Sequence, residues 1–416
     1  MQTENKKIKV LMLSDHALST SGVGTQSRWL ISGLVATGKY SFRQFGGAVR
    51  HESYETVVVN QDFIIKPTNG YGDKNLLRQA LIQEKPDVLL LFTDPRFFIW
   101  VWEMRDEITQ ICPIAYNHLW DNYPWPEFNR VLYESTDLIN CINWPTFEMT
   151  SKRFPEKTNY IPHAVPKDLF FPMTEQQCMQ IKKSVLGENR LNHFVLTFVS
   201  RNARRKMSSD IIVSFKQFLD RLEKEEGHKN STLVMHTDPL DPEGANLHHV
   251  IDMLDVKDNV VFSKDRIGFN EMNHLYNITD VLINRSLAEG FGLSVLEAKM
   301  AGKPVIAVKT GGLTRQVENH ETGEQYGIAL EPEVKCLVGN QLVPYIYEDL
   351  VSHEKVADAI YEIYKWGPEK RKEVGIKSMQ HAHKYYDMNN MIKSWDKSLT
   401  DLVKNWNVKK WSMKEL

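Results

Sequence analysis

The chain has 416 residues, and at roughly 100–200 residues per domain this length predicts two or three domains, each with its own core. Lys and Arg total 51 against 53 Asp and Glu, so the net charge of −2 argues against a protein that holds nucleic acid by bulk electrostatics, although a local basic groove is compatible with it. With 42% hydrophobic and 25% charged residues, the composition gives no support to the disordered, collagenous or disulfide-scaffold classes.

The cysteines and the N-terminal residues indicate where in the cell the protein is expected. The four cysteines are scattered without a C-x-x-C pair, so the sequence predicts neither a zinc ribbon nor a redox motif. The first apolar run, Ile8–Leu13, is far shorter than the roughly 20 apolar residues of a membrane span, and no signal-peptide cleavage region follows it. We therefore expect a cytoplasmic protein with no strong membrane signal.

The first predicted element is a strand at Lys9–Leu13, which precedes a turn-rich segment and an amphipathic helix. Further short apolar runs alternate with longer polar or amphipathic stretches, as buried parallel strands with crossover helices require. These runs predict a doubly wound α/β domain. Its other predicted strands are Val88–Phe92, Ile111–Tyr116 and Leu138–Ile142.

A proline-bracketed stretch, Ile161–Pro172, disfavours helix and predicts a linker. We therefore expect an N-terminal domain of residues 1–170 and a C-terminal domain of residues 171–385. The strands predicted in the second domain are Phe194–Ser200, Thr232–Thr237, Asn259–Phe262, Asp280–Asn284 and Pro304–Val308.

The last segment, residues 386–416, has apolar residues at three- and four-residue steps. Such a stripe predicts a helix that packs on an already folded surface, which we expect to be the N-terminal domain. The stripe consists of Ile392, Trp395, Leu399, Leu402 and Trp406.

The most informative stretch runs from Asp280 to Gly312, DVLINRSLAEGFGLSVLEAKMAGKPVIAVKTGG. A buried strand leads through Glu289-Gly290-Phe291-Gly292 directly into a helix. Two glycines let a ligand approach the main chain closely, and the helix N-terminus offers unsatisfied N–H donors. This segment is suited to binding phosphate.

The strand–EGFGLSVLE–helix unit, its AGKPVIA continuation and Gly311-Gly312 resemble the nucleotide-sugar site of the retaining glycosyltransferases of family four. The similarity extends to the glycine turn at Gly22 and Gly24, to IPHAVPKDLF, and to NEMNHLYNITDVLINRS. The resemblance implies the GT-B fold, in which two Rossmann-like doubly wound α/β domains face each other across a cleft. It also implies a retaining transferase with a nucleotide-sugar donor.

In the resembled family the first glutamate of a Glu-x7-Glu pair contacts the donor sugar and the second contacts the ribose. These positions correspond to Glu289 and Glu297. Two alternatives remain: Ser294-x-x-Glu297 also reads as a capping box, and Glu289 could be a solvated loop residue. The donor contacts implied at the turn are Phe291, Gly292 and Leu293.

Basic residues follow the Phe194–Ser200 strand in the run SRNARRK. Arg201 and Lys206 match the family's arginine and lysine that bind the donor diphosphate. Because negative charge grows on the β-phosphate as the sugar leaves, cations must neutralise it. No Asp-x-Asp triplet for a metal occurs in the chain, so we expect no metal cofactor. We expect Arg204 and Arg205 to be a solvated basic loop.

In the N-terminal half, the segment AYNHLWDNYPWP carries the third set of candidates. His118 matches a histidine that many family members place against the donor sugar, so the resemblance implies a sugar-contacting role. The alternative is a structural histidine in a loop rich in Trp and Pro. Trp120 and Asp121 are placed on the acceptor side.

The turn with Gly22 and Gly24 reads as G-x-G-x-x-S, since Ser27 replaces the third glycine of a dinucleotide fingerprint. No acidic residue lies conveniently about 20 positions on, which disfavours NAD. In the family this turn faces the donor phosphates. Asp15 and His16 on the same loop are candidates for contact with the acceptor, although a loop histidine is more often solvated.

Three questions stay open in the sequence. Most family members carry a glutamate where this chain has Arg315, which predicts altered contacts near the site. Base contacts are expected from the loop Ser263–Gly268, with Arg266 and Ile267 as candidates, and the choice of UDP or GDP is not visible. The acceptor, a glycan or small molecule, is unknown; the alternatives are a transferase acting on a hydroxymethylated DNA base and a non-catalytic nucleotide-sugar-binding protein.

Overall fold

A computed structural model describes residues 6–408, which form two compact units. Unit 1 comprises the chain up to His163, the segment Asn340–Pro344 and the chain from Asn389; unit 2 comprises Ala164–Gly339 and Tyr345–Met388. The division falls before Ala164 rather than at residue 170, because Phe170 is buried and packs edge-on against Tyr276 of unit 2, with ring centroids 5.8 Å apart.

Unit 1 contains an eight-stranded sheet of order β3-β4-β2-β1-β5-β6-β7-β8, parallel except for the antiparallel β3–β4 pair. β1 lies between β2 and β5 and is buried on both faces, as expected for a continuous apolar run. The strands are β1 (Ile8–Asp15), β2 (Tyr40–Gly47), β3 (Val57–Asn60), β4 (Phe63–Pro67), β5 (Val88–Thr93), β6 (Ile114–His118), β7 (Leu138–Cys141) and β8 (Thr158–Tyr160).

The helices of unit 1 connect these strands. The first begins at Gly22, because the Ser21 hydroxyl accepts a hydrogen bond from the Gly24 N–H at 2.9 Å and so caps the helix. The helices of this part are α1 (Gly22–Ala36), α2 (Lys74–Glu84), α3 (Ile99–Trp102), α4 (Arg105–Ile108), α5 (Arg130–Glu134) and α6 (Trp144–Ser151).

Unit 2 contains a six-stranded parallel sheet of order β11-β10-β9-β12-β13-β14 and a separate antiparallel pair, β15–β16. β9 and β12 are neighbours although β10 and β11 lie between them in the sequence, so the chain reverses its direction of strand addition there. The strands are β9 (Phe194–Val199), β10 (Ser231–His236), β11 (Val260–Ser263), β12 (Val281–Asn284), β13 (Val305–Val308), β14 (Gly327–Leu330), β15 (Val334–Val338) and β16 (Ile346–Leu350).

Helices cover the sheet of unit 2. Two of them contribute side chains to the main core of the unit, among them Phe215, Leu222 and Ile360. The helices are α7 (Glu175–Leu186), α8 (Ser208–Glu226), α9 (Leu247–Met253), α10 (Phe269–Asn277), α11 (Leu293–Met300), α12 (Thr314–Val317), α13 (His353–Lys365) and α14 (Gly367–Tyr385).

The closing helix, α15 (Met388–Asn405), belongs to unit 1 from Asn389 onward. The Tyr40 hydroxyl donates to Asp396 Oδ1 at 2.8 Å, and Trp395 and Leu399 of the predicted apolar stripe are buried. Residues 409–416 of the segment predicted as a helix lie outside the described residues. In the described chain, no helix combines the length and the apolar character needed to cross a bilayer.

Candidate active site

The centre of the site is an ion pair between two residues that the sequence predicted for it. Lys206 follows β9 in a short 3-10 turn, and Glu289 follows β12, which is the neighbouring strand. The Lys206 ammonium donates to Glu289 Oε2, and each side chain is 11% exposed. The carboxyl ends of adjacent parallel strands, where the direction of strand addition reverses, are the usual ligand site of an open α/β sheet.

Glu289 is ionised in spite of its burial. Burial by itself raises the pKa of a carboxyl group, but the charges of Lys206 and Arg205 outweigh it and lower the pKa of Glu289 to about 2. The Ser286 hydroxyl also donates to Glu289 Oε2 at 3.2 Å. Sequence reasoning missed Ser286, although it lies three residues before the glutamate on the same loop. The alternative of a solvated loop glutamate is wrong, because Glu289 is buried and paired.

The turn at Gly290–Gly292 is held by two hydrogen bonds with the segment after β13. The Gly312 N–H donates to the Glu289 carbonyl at 2.8 Å, and Gln316 Nε2 donates to the Phe291 carbonyl at 2.5 Å. Gly292 has a φ of +91°, and a Cβ there would lie 2.4 Å from Leu313 Cδ2. Helix α11 starts after Gly292 without a side-chain cap, so it offers main-chain N–H donors at its beginning.

The predicted donor residues of this turn differ in exposure. Phe291 is buried, and its ring stands edge-on to Tyr386 at 5.8 Å. Leu293 is half-buried and forms the first turn of α11. A contact of Phe291 with a donor would therefore come from its main chain, whereas Leu293 stays a candidate.

Glu297 lies on α11, one helical turn beyond the start. The Tyr276 hydroxyl donates to Glu297 Oε2 at 2.6 Å, and burial raises the pKa of this carboxyl to about 7. The capping-box interpretation is wrong, because the N-cap position is occupied by Gly292 and not by Ser294. The carboxyl therefore remains part of the site, with Tyr276 as a partner that the sequence did not reveal.

Arg201 is held away from this ion pair by partners of its own. Its guanidinium donates from Nε to Asp241 Oδ2 at 2.6 Å and from Nη2 to Asp241 Oδ1 at 3.1 Å, and Nη1 lies 3.2 Å from Glu243 Oε1. Arg201 thus has carboxylate partners other than Glu289, and its diphosphate role stays a prediction. Asp241 follows β10, next to β9, so the end of that neighbouring strand was the available signal for it.

Arg205 is half-buried, which corrects the expectation of a solvated residue there, whereas the Arg204 side chain is 68% exposed, as expected. Arg204 forms an ion pair with both carboxylate oxygens of Glu348. Arg205 Nη1 donates to the Ala288 carbonyl at 2.9 Å and thereby fixes the residue before Glu289. These contacts arise from β16 and from the loop after β12, which are far away in sequence.

The remaining predicted donor contacts are less defined. Arg266 is exposed and Ile267 half-buried in the loop between β11 and α10, so both remain candidates for the nucleotide base. Arg315 is half-buried in α12, one residue before Gln316. This position, where the resembled family carries a glutamate, therefore falls next to the segment that supports the glycine turn.

The two aromatic candidates of unit 1 belong to its core, which corrects both predictions. His118 is 1% exposed; its Nε2 lies 2.9 Å from the Tyr133 hydroxyl and its Nδ1 3.7 Å from Cys141 Sγ. Trp120 is 3% exposed and stands edge-on to Phe128 at 5.8 Å. Because these side chains pack inward, the structure supports the structural histidine and gives no sugar-facing surface to Trp120.

The loop after β1 keeps one accessible candidate. Asp15 is buried, and both of its oxygens accept hydrogen bonds, from the Ser21 hydroxyl at 2.6 Å and the Tyr71 hydroxyl at 2.8 Å. His16 is half-buried, and its Nδ1 accepts from the Leu18 N–H at 3.2 Å. Asp15 therefore organises the loop, whereas His16 remains a candidate for acceptor contact.

The other candidates of unit 1 lie at the start of α1 and in the segment after β6. Gly22 and Gly24 form the first turn of α1 rather than a free loop, and a Cβ on Gly24 would lie 2.6 Å from the His16 carbonyl oxygen. Gly24 is thus required by close packing. Asp121 is half-buried and stays a candidate on the acceptor side.

Burial of His118 and His163 predicts acid sensitivity of unit 1. Burial lowers the pKa of each imidazole to about 3, whereas an unfolded histidine titrates near about 6.5. The unfolded chain therefore binds more protons between these values, and stability that is complete above pH about 6.5 falls as the pH drops towards about 3. At pH 5 the loss is about 2 kcal/mol for each histidine at most, since one pKa unit corresponds to about 1.4 kcal/mol.

Urea unfolding at pH 7 and pH 5 checks this expectation. The variant His118→Phe should lose less stability between the two pH values than the wild type, by about 2 kcal/mol. The exposed His249, replaced by Gln, serves as the control and should leave the pH dependence unchanged. An identical pH dependence in wild type and His118→Phe would contradict the assignment.

No metal ligand set accompanies the site in the part of the chain that is described. Residues 6–408 contain no group of three or more His, Cys, Asp or Glu side chains placed to hold one ion.

Known proteins resemble this chain in sequence within unit 2. The sequence model of the family described as glycosyl transferases group 1 matches residues 183–328, which include Lys206, Glu289 and Glu297. The trehalose synthase of Pyrococcus horikoshii is 38% identical over 88 residues, which are 20% of this chain. This chain spans only 21% of the length of that relative.

Solved structures match over nearly the whole chain. The sucrose-phosphate synthase of Thermosynechococcus elongatus superposes with a TM-score of 0.73 at 16% identity, over 96% of this chain and 100% of that one. HepE of Anabaena, solved in complex with UDP-glucose, gives a TM-score of 0.68 at 16% identity, over 95% and 100% of the two chains. The expected GT-B fold is confirmed, and the model of glycosyl transferases group 1 matches residues 183–328 within unit 2.

Proposed function

We propose that this chain is a retaining glycosyltransferase of family four, which moves a sugar from a UDP- or GDP-linked donor to a hydroxyl acceptor. The observation that carries the proposal is the buried Lys206–Glu289 ion pair next to the Gly290–Gly292 turn. It joins a cation, a carboxylate and main-chain N–H donors at one edge of a parallel sheet. A nucleotide-sugar presents the complementary groups, which are a diphosphate and a hydroxylated ring.

In this proposal unit 2 binds the donor. The main-chain N–H groups at the start of α11 and the Lys206 ammonium bind the diphosphate, and the Glu289 carboxylate accepts hydrogen bonds from sugar hydroxyls. Glu297, with Tyr276 beside it, binds the ribose. Because HepE shares the fold and was solved with UDP-glucose, a UDP-linked donor is favoured for the first tests.

The proposed reaction needs no separate catalytic base. The bond between the anomeric carbon and the β-phosphate oxygen breaks, and the acceptor oxygen forms the new bond on the same face of the sugar. The departing phosphate oxygen takes the proton of the acceptor hydroxyl. The work of the protein is then positioning and charge stabilisation, which Lys206 and the turn amides supply without a metal cofactor.

Thermal stabilisation by nucleotides tests the donor assignment. A ligand that binds only the folded protein raises its free energy of unfolding by about 2.7 kcal/mol at a hundredfold excess over Kd. We expect UDP or GDP, and the corresponding sugar nucleotide, to raise the melting temperature, and the variant Glu289→Gln to weaken the effect of the sugar nucleotide more than that of the free nucleotide. ATP serves as the control nucleotide. Absence of stabilisation by every sugar nucleotide would contradict the proposal.

Release of free nucleotide from the stabilising donor then separates an enzyme from a binding protein. A glycosyltransferase should release UDP or GDP slowly when water accepts the sugar, and faster with a suitable acceptor. A non-catalytic binding protein should bind the donor and release none, even at high protein concentration. Salt-sensitive binding to duplex DNA, followed by sugar transfer to a hydroxymethylated base, would instead identify DNA as the acceptor.

A further inference from the structure

A lysine lies fully buried behind the glycine turn, on the inner face of α11. Lys299 has no accessible surface, and no carboxylate of residues 6–408 forms an ion pair with it. An isolated buried ammonium is costly, so burial lowers the pKa of Lys299 well below its usual value and favours the neutral amine. The burial of Lys299 must therefore be explained by its hydrogen bonds rather than by an ion pair.

The contacts of the Lys299 amine connect three helices. Its Nζ donates to the Gln316 carbonyl, lies 2.8 Å from His381 Nδ1 and sits over the Tyr326 ring, 4.5 Å from the centroid. Gln316 belongs to the four-residue helix α12, whose carbonyls have no partner within so short a helix. Lys299 therefore ties α12 to α11 and to α14.

The same glutamine supports the turn of the candidate site. Gln316 Nε2 donates to the Phe291 carbonyl at 2.5 Å, and a Cβ at Gly292 would lie 3.6 Å from this nitrogen. The backbone of Gln316 is thus held by Lys299 while its side chain holds Phe291. Lys299 reaches the turn through one intermediate residue and contacts none of the groups proposed to touch the donor.

We propose that Lys299 is a positioning residue, which holds α12 through the Gln316 carbonyl so that the Gln316 side chain fixes the Gly290–Gly292 turn for the donor. This inference deepens the proposed function and rests on it for the donor. The arrangement of the turn itself is a property of the ligand-free chain.

Hydrogen exchange tests the inference without any ligand. Lys299→Met keeps most of the side-chain volume and removes the donor to Gln316. We expect amide exchange around the turn, at Gly312, Val295 and Leu296, to accelerate at least about tenfold, because these N–H groups donate to the Glu289 and Gly292 carbonyls and the turn loses its support. UDP binding, measured by calorimetry, should weaken by about tenfold in the same variant.

Two further variants separate positioning from general destabilisation. Leu222→Ala removes a core side chain of the same unit far from the turn in sequence, and it should change neither the turn exchange nor the UDP affinity. Gln316→Leu should accelerate the turn exchange as Lys299→Met does, and the double variant should show no further increase, because both changes act on one connection. Additive effects would overturn the inference.

The variant Lys299→Met/His381→Phe guards against a folding defect, since it leaves no histidine nitrogen without its lysine partner. It should fold and show the accelerated exchange. Unchanged exchange at the turn in this variant, or in Lys299→Met, overturns the positioning role. If the wild-type protein binds no UDP, the donor assignment is contradicted instead. The comparison of exchange rates then still tests whether Lys299 positions the turn.

Discussion

Replacement of Lys206 by methionine is expected to lower the rate of donor turnover about 10²–10³-fold, the typical effect of removing one preorganised charge-stabilising donor. The Lys206 ammonium lies at the centre of the site, because it donates to Glu289 at the end of the neighbouring strand. Release of nucleotide at saturating donor measures the effect. Unchanged turnover would show that Lys206 does not stabilise the leaving phosphate.

The same variant should also lose stability, which must be separated from catalysis. Removal of one partner of a buried ion pair costs about 3–5 kcal/mol, because the other charge remains buried without compensation. The double variant Lys206→Met/Glu289→Leu removes both charges and should recover most of the lost unfolding free energy. Its turnover should stay as low as that of the single variant. Recovery of turnover together with stability would mean that the pair serves only the fold.

Substitution of Gly312 by alanine is the second change with a large expected effect. An added Cβ would lie 2.5 Å from Phe291 Cα and 2.6 Å from the Gly290 carbonyl oxygen. Both are main-chain atoms, so the turn must move rather than a side chain. We expect UDP affinity to fall more than about tenfold and the unfolding free energy to fall by about 1–3 kcal/mol, as overpacking typically costs. Calorimetric titration with UDP and urea unfolding provide the two measurements.

Gly323→Ala is the matched control for this change. Gly323 has a φ of +72° and no atom within 4 Å of an added Cβ, so the substitution brings backbone strain without a collision. It should cost about 1–2 kcal/mol of stability and leave UDP binding unchanged. If both variants bound UDP equally well, the position of the glycine turn would not determine the affinity.

Many strands of this protein could be predicted from local patterns, because parallel strands buried on both faces are continuous apolar runs. The runs around β1, β5, β9 and β12 have this form. β2 was missed, since its sequence YSFRQFGG places polar residues within the strand. Gln44 is nevertheless buried there, because it donates to the Ser14 hydroxyl at 2.6 Å, a partner on another strand.

The candidate site was predictable where its chemistry lies in contiguous residues. The two glycines between one strand and one helix indicate a phosphate-binding turn by themselves, whereas Glu289 and Glu297 were assigned from the Glu-x7-Glu pair of the resembled family. Lys206 could be named because it matches the lysine that the resembled family places after the first strand of the C-terminal domain. Both the glycine turn and the motifs that carry the resemblance are short contiguous stretches, which the order of residues displays directly.

The roles of the remaining candidate side chains depend on their burial and on partners from distant segments. His118 and Trp120 have residue types suited to a sugar site, but the tertiary structure turns both into the core. Arg201 is bound by Asp241, and Lys299 reaches Gln316 and His381, all through contacts that no local pattern contains. The sequence by itself therefore determined which elements form and where phosphate chemistry is concentrated. Only the packing of distant elements decided which polar side chains serve the site and which support it, because that depends on the neighbours that each side chain meets after folding.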